Sequence, residues 1–155
     1  MRVQILTVGK PRDRGLAGLC ETYLRRCAPL LRTDWATVGA GDPRGSKKPE
    51  RAIAAEEQRL LKRLDSGAVI VALDEGGKRR DSRDLARWLG RLRDDGRRIQ
   101  LVVGGAFGLG PELRRRCHQQ ISLSPLTLPH ELALLVLTEQ LYRAKTILAG
   151  EPYHH

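Results

Sequence analysis

Two patterns of apolar residues along the chain predict its secondary structure: short continuous runs and stripes with helical spacing. Short apolar runs have the length of buried strands. They lie at Val3–Val8, Trp35–Val38, Ala68–Leu73, Ile99–Val103 and Gln120–Leu123. Between most of them, apolar residues recur with i, i+3, i+4, i+7 spacing, which is typical of amphipathic helices. Strands that alternate with helices predict an α/β fold with a mostly parallel sheet flanked by helices.

The apolar stripes of the first three helices have start or stop signals at their ends. Asp13 can cap the first helix and Pro29 stops it, Gly67 ends the second, and Asp81 and Asp84 make an acidic start for the third. The stripes comprise Leu16, Leu19, Cys20, Tyr23, Leu24 and Cys27, then Ile53, Glu57, Leu60, Leu61 and Leu64, then Leu85, Trp88, Leu89 and Leu92.

The last predicted helix runs from about Leu128 to Ala149, with Thr127 as its cap, and it is apolar on two sides. One side carries Leu134, Leu137, Leu141, Ala144 and Leu148, and the other Leu132, Leu135, Val136 and Ile147. One side can pack on the chain's own sheet. The other needs a second partner, and a homodimer is the simplest one.

Two turn-rich loops follow late strands of the predicted sheet. The strand Ile99–Val103 leads into Gly104, Gly105, Gly108 and Gly110, and a short basic helix opened by Pro111 follows. The spacing G-x-x-G-x-G differs from the G-x-G-x-x-G order of dinucleotide sites, and no phosphate-binding G-x-x-x-x-G-K motif occurs. The glycines indicate either a tight turn alone or a ligand loop, because α/β sheets place ligands at strand ends.

Composition indicates a single domain, residues 1–155, that binds a polyanion. The chain has 155 residues and a formal net charge of +10, and a compact domain this basic usually binds nucleic acid. A general preference for Arg over Lys is the alternative. The segment from Gly39 to Glu50 is rich in Gly, Pro and charge, so its Arg44, Lys47 and Lys48 could contact phosphate or simply be solvated.

Neither a membrane span nor a metal site is expected. No apolar run approaches eighteen residues, and the opening MRVQILTVGK is typical of a strand and not of a signal peptide. We therefore expect a cytoplasmic protein. Cys20 and Cys27 are about 10 Å apart along one helix, beyond disulfide reach. Cys117-His118 lacks the further ligands that zinc needs.

Several segments together resemble the RlmH family of SPOUT-class methyltransferases. They are VQILTVGK near the start, ETYLRR in the first helix, VALD, VVGGAFGL, SLSPLTLPHEL and EQLYRAKTILAGEPYH. The resemblance covers the whole length. It implies a homodimer with a C-terminal trefoil knot that binds S-adenosylmethionine and methylates N3 of a pseudouridine in 23S ribosomal RNA. A non-catalytic, basic, ribosome-associated RNA-binding protein is the alternative.

The family pattern implies a cofactor site built from three late segments. It would be lined by Leu73, Gly104, Leu123, Ser124, Pro125, Leu126, Thr127 and Leu128. Glycine lets the backbone approach a ligand, and apolar side chains beside free backbone groups can hold an adenine. Plain core positions are the alternative for the leucines. Ala106-Phe107 replaces residues that are often more polar in relatives, and Arg114-Arg115-Arg116 is unusually basic.

Four polar residues near the last helix are the candidates for catalysis. The helix dipole at His130 disfavours a charged imidazole. We therefore expect a neutral side chain, which can accept a proton or a hydrogen bond. Arg143 can bind phosphate or stabilise a uracil-like anion. Tyr153 in the tail can stack on a base, and His154 is a second candidate base. A structural helix-start histidine and a frayed tail are the alternatives.

Overall fold

The computed structural model describes residues 1–42 and 48–154, and in these residues it has five strands and five helices. The elements are β1 Arg2–Val8, α1 Arg14–Cys27, β2 Arg32–Val38, α2 Pro49–Leu61, β3 Ala68–Arg79, α3 Ser82–Asp94, β4 Arg98–Val103, α4 Pro111–Arg116, β5 Gln119–Ser122 and α5 His130–Ala149. Arg44, Lys47 and His155 lie outside the described residues.

All strand pairs are parallel, in the order β2-β1-β4-β3-β5. This confirms the predicted α/β sheet. The trefoil knot stays a prediction.

Strand β3 is longer than predicted. Its apolar part does not exit into a loop at Asp74, because Leu73 and Lys78 both pair with Ile121 of β5 and the residues between them bulge out. A Cβ on Gly77 would lie 2.6 Å from the backbone nitrogen of Ile121. Glycine at position 77 therefore lets the two strands approach again after the bulge. The pattern of apolar residues does not indicate this requirement.

The helices cover both faces of the sheet and enclose two apolar cores. Helices α1, α3 and α5 pack on one face with buried Leu24, Leu89 and Leu137. Helices α2 and α4 cover the other with Leu60 and Leu113. The stripe of α3 is confirmed. Asp13 caps α1 as predicted, and Asp81, which was predicted as part of an acidic helix start, caps α3. None of the helices in the described ranges is long and apolar enough to span a membrane.

Three predicted helix details are wrong. Leu19 of α1 is 50% exposed and does not join the core. Helix α2 ends at Leu61, well before Gly67, and a buried carboxylate, Glu56, lies on its inner face. Thr127 does not cap α5, which begins at His130 after Pro129. Pro129 supplies a fixed backbone angle at that point, so the helix begins without a side-chain cap.

One face of helix α5 packs into the hydrophobic core of the same chain. Leu134, Leu137, Leu141 and Ala144 are buried within the chain, whereas Leu132 is 41% exposed. Gly150 ends the helix with φ +67°, the left-handed conformation that glycine favours after the last helical turn. Of the second predicted face, Leu135 and Ile147 also pack against this core, so the prediction that this face needs another partner is wrong for them and stays open for the exposed Leu132.

Candidate functional site

A pocket of about 750 Å³ opens at the bulge of β3 and at the carboxyl ends of β4 and β5. This volume is typical of small-molecule sites, and carboxyl ends of parallel strands are where α/β folds bind ligands. Its walls come from the bulge of β3, the glycine turn after β4, the loop after β5 and the start of α5. They include Leu73, Asp74, Glu75, Val103, Gly104, Gly105, Ala106, Phe107, Gly108, Arg114, Leu123, Ser124, Leu126, Thr127, Leu128, His130 and Ala133.

The glycine turn after β4 is tightly folded on itself. The amide of Gly108 donates to the carbonyl of Gly105 at 3.1 Å, and Gly108 has φ +80°. A Cβ on Gly104 would lie 2.6 Å from the carbonyl carbon and oxygen of Gly108. Glycine at 104 is therefore required by the turn itself, and its backbone forms one wall of the pocket.

The loop after β5 presents backbone groups to the pocket. The hydroxyl of Ser122 donates to the carbonyl of Ser124 at 2.9 Å, and the amide of Leu126 donates to the hydroxyl of Ser124 at 2.9 Å. Within residues 1–42 and 48–154, no backbone–backbone hydrogen bond starts from the amides of Ser124, Thr127 or Leu128. These amides lie at exposed or half-buried residues, so they are available to a ligand or to water.

Charged side chains enter the pocket at the β3 bulge and at α4. Asp74, Glu75 and Arg114 line this part of the wall. The Nε of Arg114 is 2.8 Å from Oδ2 of Asp74, whose side chain is only 13% exposed. Sequence analysis did not assign a function to these three residues. The available signal was their position directly after a strand and in the helix after the glycine turn.

Helix α2 supports the glycine turn from behind with two carboxylates. Glu56 accepts a 2.7 Å hydrogen bond from the amide of Gly41, and a Cβ on Gly105 would lie 2.6 Å from its other oxygen. Glu57 accepts a 2.8 Å hydrogen bond from the amide of Leu113. Glu57 thus links α2 to the first turn of α4, and Glu56 lies against Gly105 without a hydrogen bond to it; no local sequence pattern indicates either contact.

A second cluster of polar and aromatic side chains surrounds Glu139 on α5. Its Oε1 accepts hydrogen bonds from Nε and Nη2 of Arg143 at 3.0 and 2.6 Å and from the hydroxyl of Tyr153 at 3.1 Å. His154 lies beside it, with its Nε2 accepting from Nε of Arg83 at 3.2 Å. We call Glu139, Arg143, Tyr153 and His154 the tail cluster.

Aromatic rings and guanidinium groups stack within the tail cluster. The Arg143 guanidinium lies 4.7 Å from the ring centre of Tyr153, and Tyr142 packs edge-on against the same ring at 4.8 Å. Burial, followed by hydrogen bonds with Tyr23 and Glu139, raises the pKa of Tyr153 to about 12. The tail is therefore anchored in the structure, and the alternative of a frayed tail is wrong for residues 151–154.

The pocket and the tail cluster are at different places on the chain. His130 lines the pocket, whereas Arg143, Tyr153 and His154 do not. His130 and Arg143 are thirteen positions apart on α5, which separates them by roughly 20 Å along the helix axis. The four residues predicted as catalytic are therefore not brought together in one chain.

Comparison with known proteins assigns the family. A family model described as "Predicted SPOUT methyltransferase" matches residues 1–154. The chain belongs to the SPOUT methyltransferases. Within the SPOUT methyltransferases, the chain belongs to the RlmH family, which its sequence resembles. Relatives from Gemmatimonas aurantiaca and Brucella anthropi, both named "Ribosomal RNA large subunit methyltransferase H", are 44% and 40% identical over 99% of both chains.

Solved structures agree on the fold of this SPOUT methyltransferase. A probable methylase family protein from Haemophilus influenzae matches 99% of the chain and 70% of its own length, with 14% identity and a TM-score of 0.58. A probable methyltransferase from Bordetella pertussis matches 92% and 95%, with 17% identity and a TM-score of 0.54. At these identities the likeness concerns the fold alone.

Most residues proposed for the cofactor site of this SPOUT methyltransferase line one pocket. Leu73, Gly104, Leu123, Ser124, Leu126, Thr127 and Leu128 are among them, while Pro125 is exposed and does not line it. Their role in binding stays a prediction. Sequence analysis missed Glu139, although its i, i+4 spacing to Arg143 was a signal. In the described ranges, no group of three His, Cys, Asp or Glu side chains could hold a metal ion.

Proposed function

We propose that this SPOUT methyltransferase transfers a methyl group from S-adenosylmethionine to N3 of a pseudouridine in 23S ribosomal RNA, in the cytoplasm. The observation that carries the proposal is a small-molecule pocket at the strand ends of a chain with full-length relatives at 44% and 40% identity named as methyltransferases of ribosomal RNA.

The pocket fits the cofactor in size and in chemistry. The open amides of Thr127 and Leu128 can donate to the acceptor nitrogens of an adenine, and Leu73 and Leu123 supply apolar surface against its ring. S-adenosylmethionine supplies an electrophilic methyl group on its sulfonium. The chain's task is then to hold the donor, orient the acceptor and exclude water, since alignment is the main requirement of such a transfer.

The tail cluster fits an RNA nucleotide. Arg83 and Arg26 add positive charge beside it; Nε of Arg83 donates to His154, and Arg26 lies 6.0 Å from the ring of Tyr142. Guanidinium groups bind phosphate, and aromatic rings stack on unpaired bases. The N3–H proton of the acceptor must leave before or during transfer. His130 and His154 are the candidate proton acceptors, one on each side of the proposed site.

A homodimer resolves the distance between the two halves of the proposed site. Because roughly 20 Å of helix separates His130 from Arg143, the tail cluster of one chain would serve the pocket of a second copy. Two exposed leucines, Leu19 on α1 and Leu132 on α5, supply apolar surface for the association. Helices α1 and α5 pack along each other, so they can present a shared face.

Methyl transfer to ribosomes from a strain lacking this enzyme tests the proposal. Labelled S-adenosylmethionine should label 23S RNA, and the label should map to N3 of a pseudouridine. Arg143→Ala should reduce the transfer rate by about tenfold or more, because a cation beside a developing anion helps most in the transition state. It should leave the calorimetric affinity for S-adenosylmethionine unchanged.

Two outcomes would contradict the proposal. RNA binding without methyl transfer and without measurable S-adenosylmethionine binding would favour the non-catalytic, ribosome-associated alternative. Label on protein or on small molecules in place of ribosomal RNA would overturn the substrate.

A further inference from the structure

The three consecutive arginines of α4 have different surroundings. Arg115 pairs with Glu112, and Nε of Arg116 lies 3.4 Å from the same carboxylate; their side chains are 71% and 68% exposed. Arg114 points the other way, lines the pocket and pairs with Asp74. A run of basic residues that looks uniform in sequence therefore contains one arginine with a separate location.

The Arg114 guanidinium forms its ion pair with Asp74 through Nε. Its Nε faces Oδ2 of Asp74, and its Nη2 is 4.0 Å from the position that a Cβ on Gly108 would occupy. No hydrogen bond in the described part of the chain uses its Nη groups. The two outer nitrogens thus form a fork at the edge of the glycine turn, and such forks bind carboxylates in a bidentate manner.

Charge divides the pocket into two ends. The loop Leu123–Leu128 is uncharged, whereas Asp74, Glu75 and Arg114 line another part of the wall, where Nη2 of Arg114 lies close to Gly108. S-adenosylmethionine has a matching division, with an adenine at one end and an α-carboxylate and α-ammonium at the other. On the basis of the proposed function, we infer that the Nη groups of Arg114 bind the α-carboxylate of the cofactor's methionine moiety.

Asp74 acts in this arrangement as a positioning residue. It holds Nε of Arg114 and also accepts a 3.0 Å hydrogen bond from the amide of Gly76, which fixes the bulge of β3. The carboxylate therefore keeps the guanidinium beside the bulge of β3. Glu75 lines the same end and offers a negative charge to the cofactor's ammonium group.

Two ligands that differ only in the carboxylate isolate the role of Arg114. The wild-type protein should bind S-adenosylmethionine about tenfold or more tightly than decarboxylated S-adenosylmethionine in calorimetry, since a charge-assisted pair is lost. Arg114→Gln should abolish this preference and leave the affinity for the decarboxylated ligand within about twofold of wild type. Arg114→Lys, which retains the charge without the fork, should keep part of the preference.

Arg115→Gln is the matched control, because Arg115 lies on the same helix and outside the pocket wall. It should retain the full preference. An Arg114→Gln variant that weakens both ligands equally, or one that keeps the preference, would overturn the assignment. Asp74→Asn should reduce the preference without abolishing it, and an unchanged preference would remove Asp74 from the positioning role. A wild-type protein that binds neither ligand would instead overturn the proposed function.

Discussion

At the scale of single residues, close approach decides which side chains are tolerated around the pocket. Gly104 has no room for a Cβ, because the nearest atoms are the backbone of Gly108 at 2.6 Å. A larger residue at 104 would therefore not simply fill the pocket and leave the fold intact. It would displace the turn that forms the pocket wall.

Replacing Gly104 tests this requirement. Gly104→Ala should lower the free energy of unfolding by more than about 1 kcal/mol and weaken S-adenosylmethionine binding, because rigid backbone must move. Gly18→Ala is the control, since a Cβ there has no neighbour within 4 Å. In a helix it should stabilise the protein by about 0.5–1 kcal/mol. Thermal and chemical unfolding measure both, and equal stability of the two variants would contradict the close contact.

The Tyr153 hydroxyl gives a prediction at high pH. Its pKa is raised from 10.0 to about 12 in the folded protein, so the folded state holds this proton more tightly than the unfolded state. The corresponding stability is fully present below pH 10 and is lost as the pH rises from about 10 to about 12. Tyrosinate absorbance should show a late-titrating tyrosine that Tyr153→Phe removes. A Tyr153→Phe variant with the same titration curve would exclude this assignment.

At the scale of elements, the two kinds of helix start have different consequences. Asp13 accepts a 2.9 Å hydrogen bond from the amide of Leu16 and caps α1, whereas α5 has no side-chain cap. Thr127 belongs to the pocket wall instead. Asp13 and Thr127 are both residue types that can cap a helix. The first stabilises α1, whereas the second, in our proposal, contributes to ligand binding.

Paired alanine variants separate these roles. Asp13→Ala should lower the free energy of unfolding by about 1 kcal/mol through loss of the cap. Thr127→Ala should leave stability within about 0.5 kcal/mol of wild type, as an exposed substitution usually does. Denaturant unfolding measures both. A Thr127→Ala variant as destabilised as Asp13→Ala would restore Thr127 as a helix cap.

At the scale of the whole molecule, the exposed leucines define where association can be tested. Leu137 and Leu141 are each 1% exposed inside the chain, so charging them would disrupt folding whether or not a dimer forms. They are unsuitable probes of a dimer, contrary to what the doubly apolar helix alone indicates. Leu19 and Leu132 are the suitable positions.

Charge introduced at the exposed positions should separate the proposed dimer. Leu19→Glu together with Leu132→Glu should give the mass of one chain in light scattering at micromolar concentration, with the circular dichroism of wild type. The reason is that a carboxylate buried at an apolar interface is costly without a partner. Methyl transfer should fall with the dimer. A wild-type protein of monomer mass would contradict the homodimer, and Leu137→Glu should unfold the chain in either case.

The sequence alone determined the order and type of the elements. Continuous apolar runs and apolar stripes of period 3.6 are local properties, so the strands beginning near Val3, Ala68 and Ile99 and the stripe of α3 could be predicted within a few residues. The cap at Asp13 and the acidic helix start at Asp81 were likewise predictable from neighbouring residues alone. The resemblance supplied the candidate loops at Gly104 and Leu123–Leu128, because those segments carry distinctive residues.

Only the tertiary structure decided which distant residues meet. Arg114 faces Asp74 across forty positions, Glu56 supports Gly105, and Tyr153 folds back onto Glu139. Such pairings depend on sheet order and helix packing, which place residues by topology and not by spacing along the chain. The separation of His130 from Arg143 follows from the same cause, since both lie on one rigid helix whose length keeps them apart.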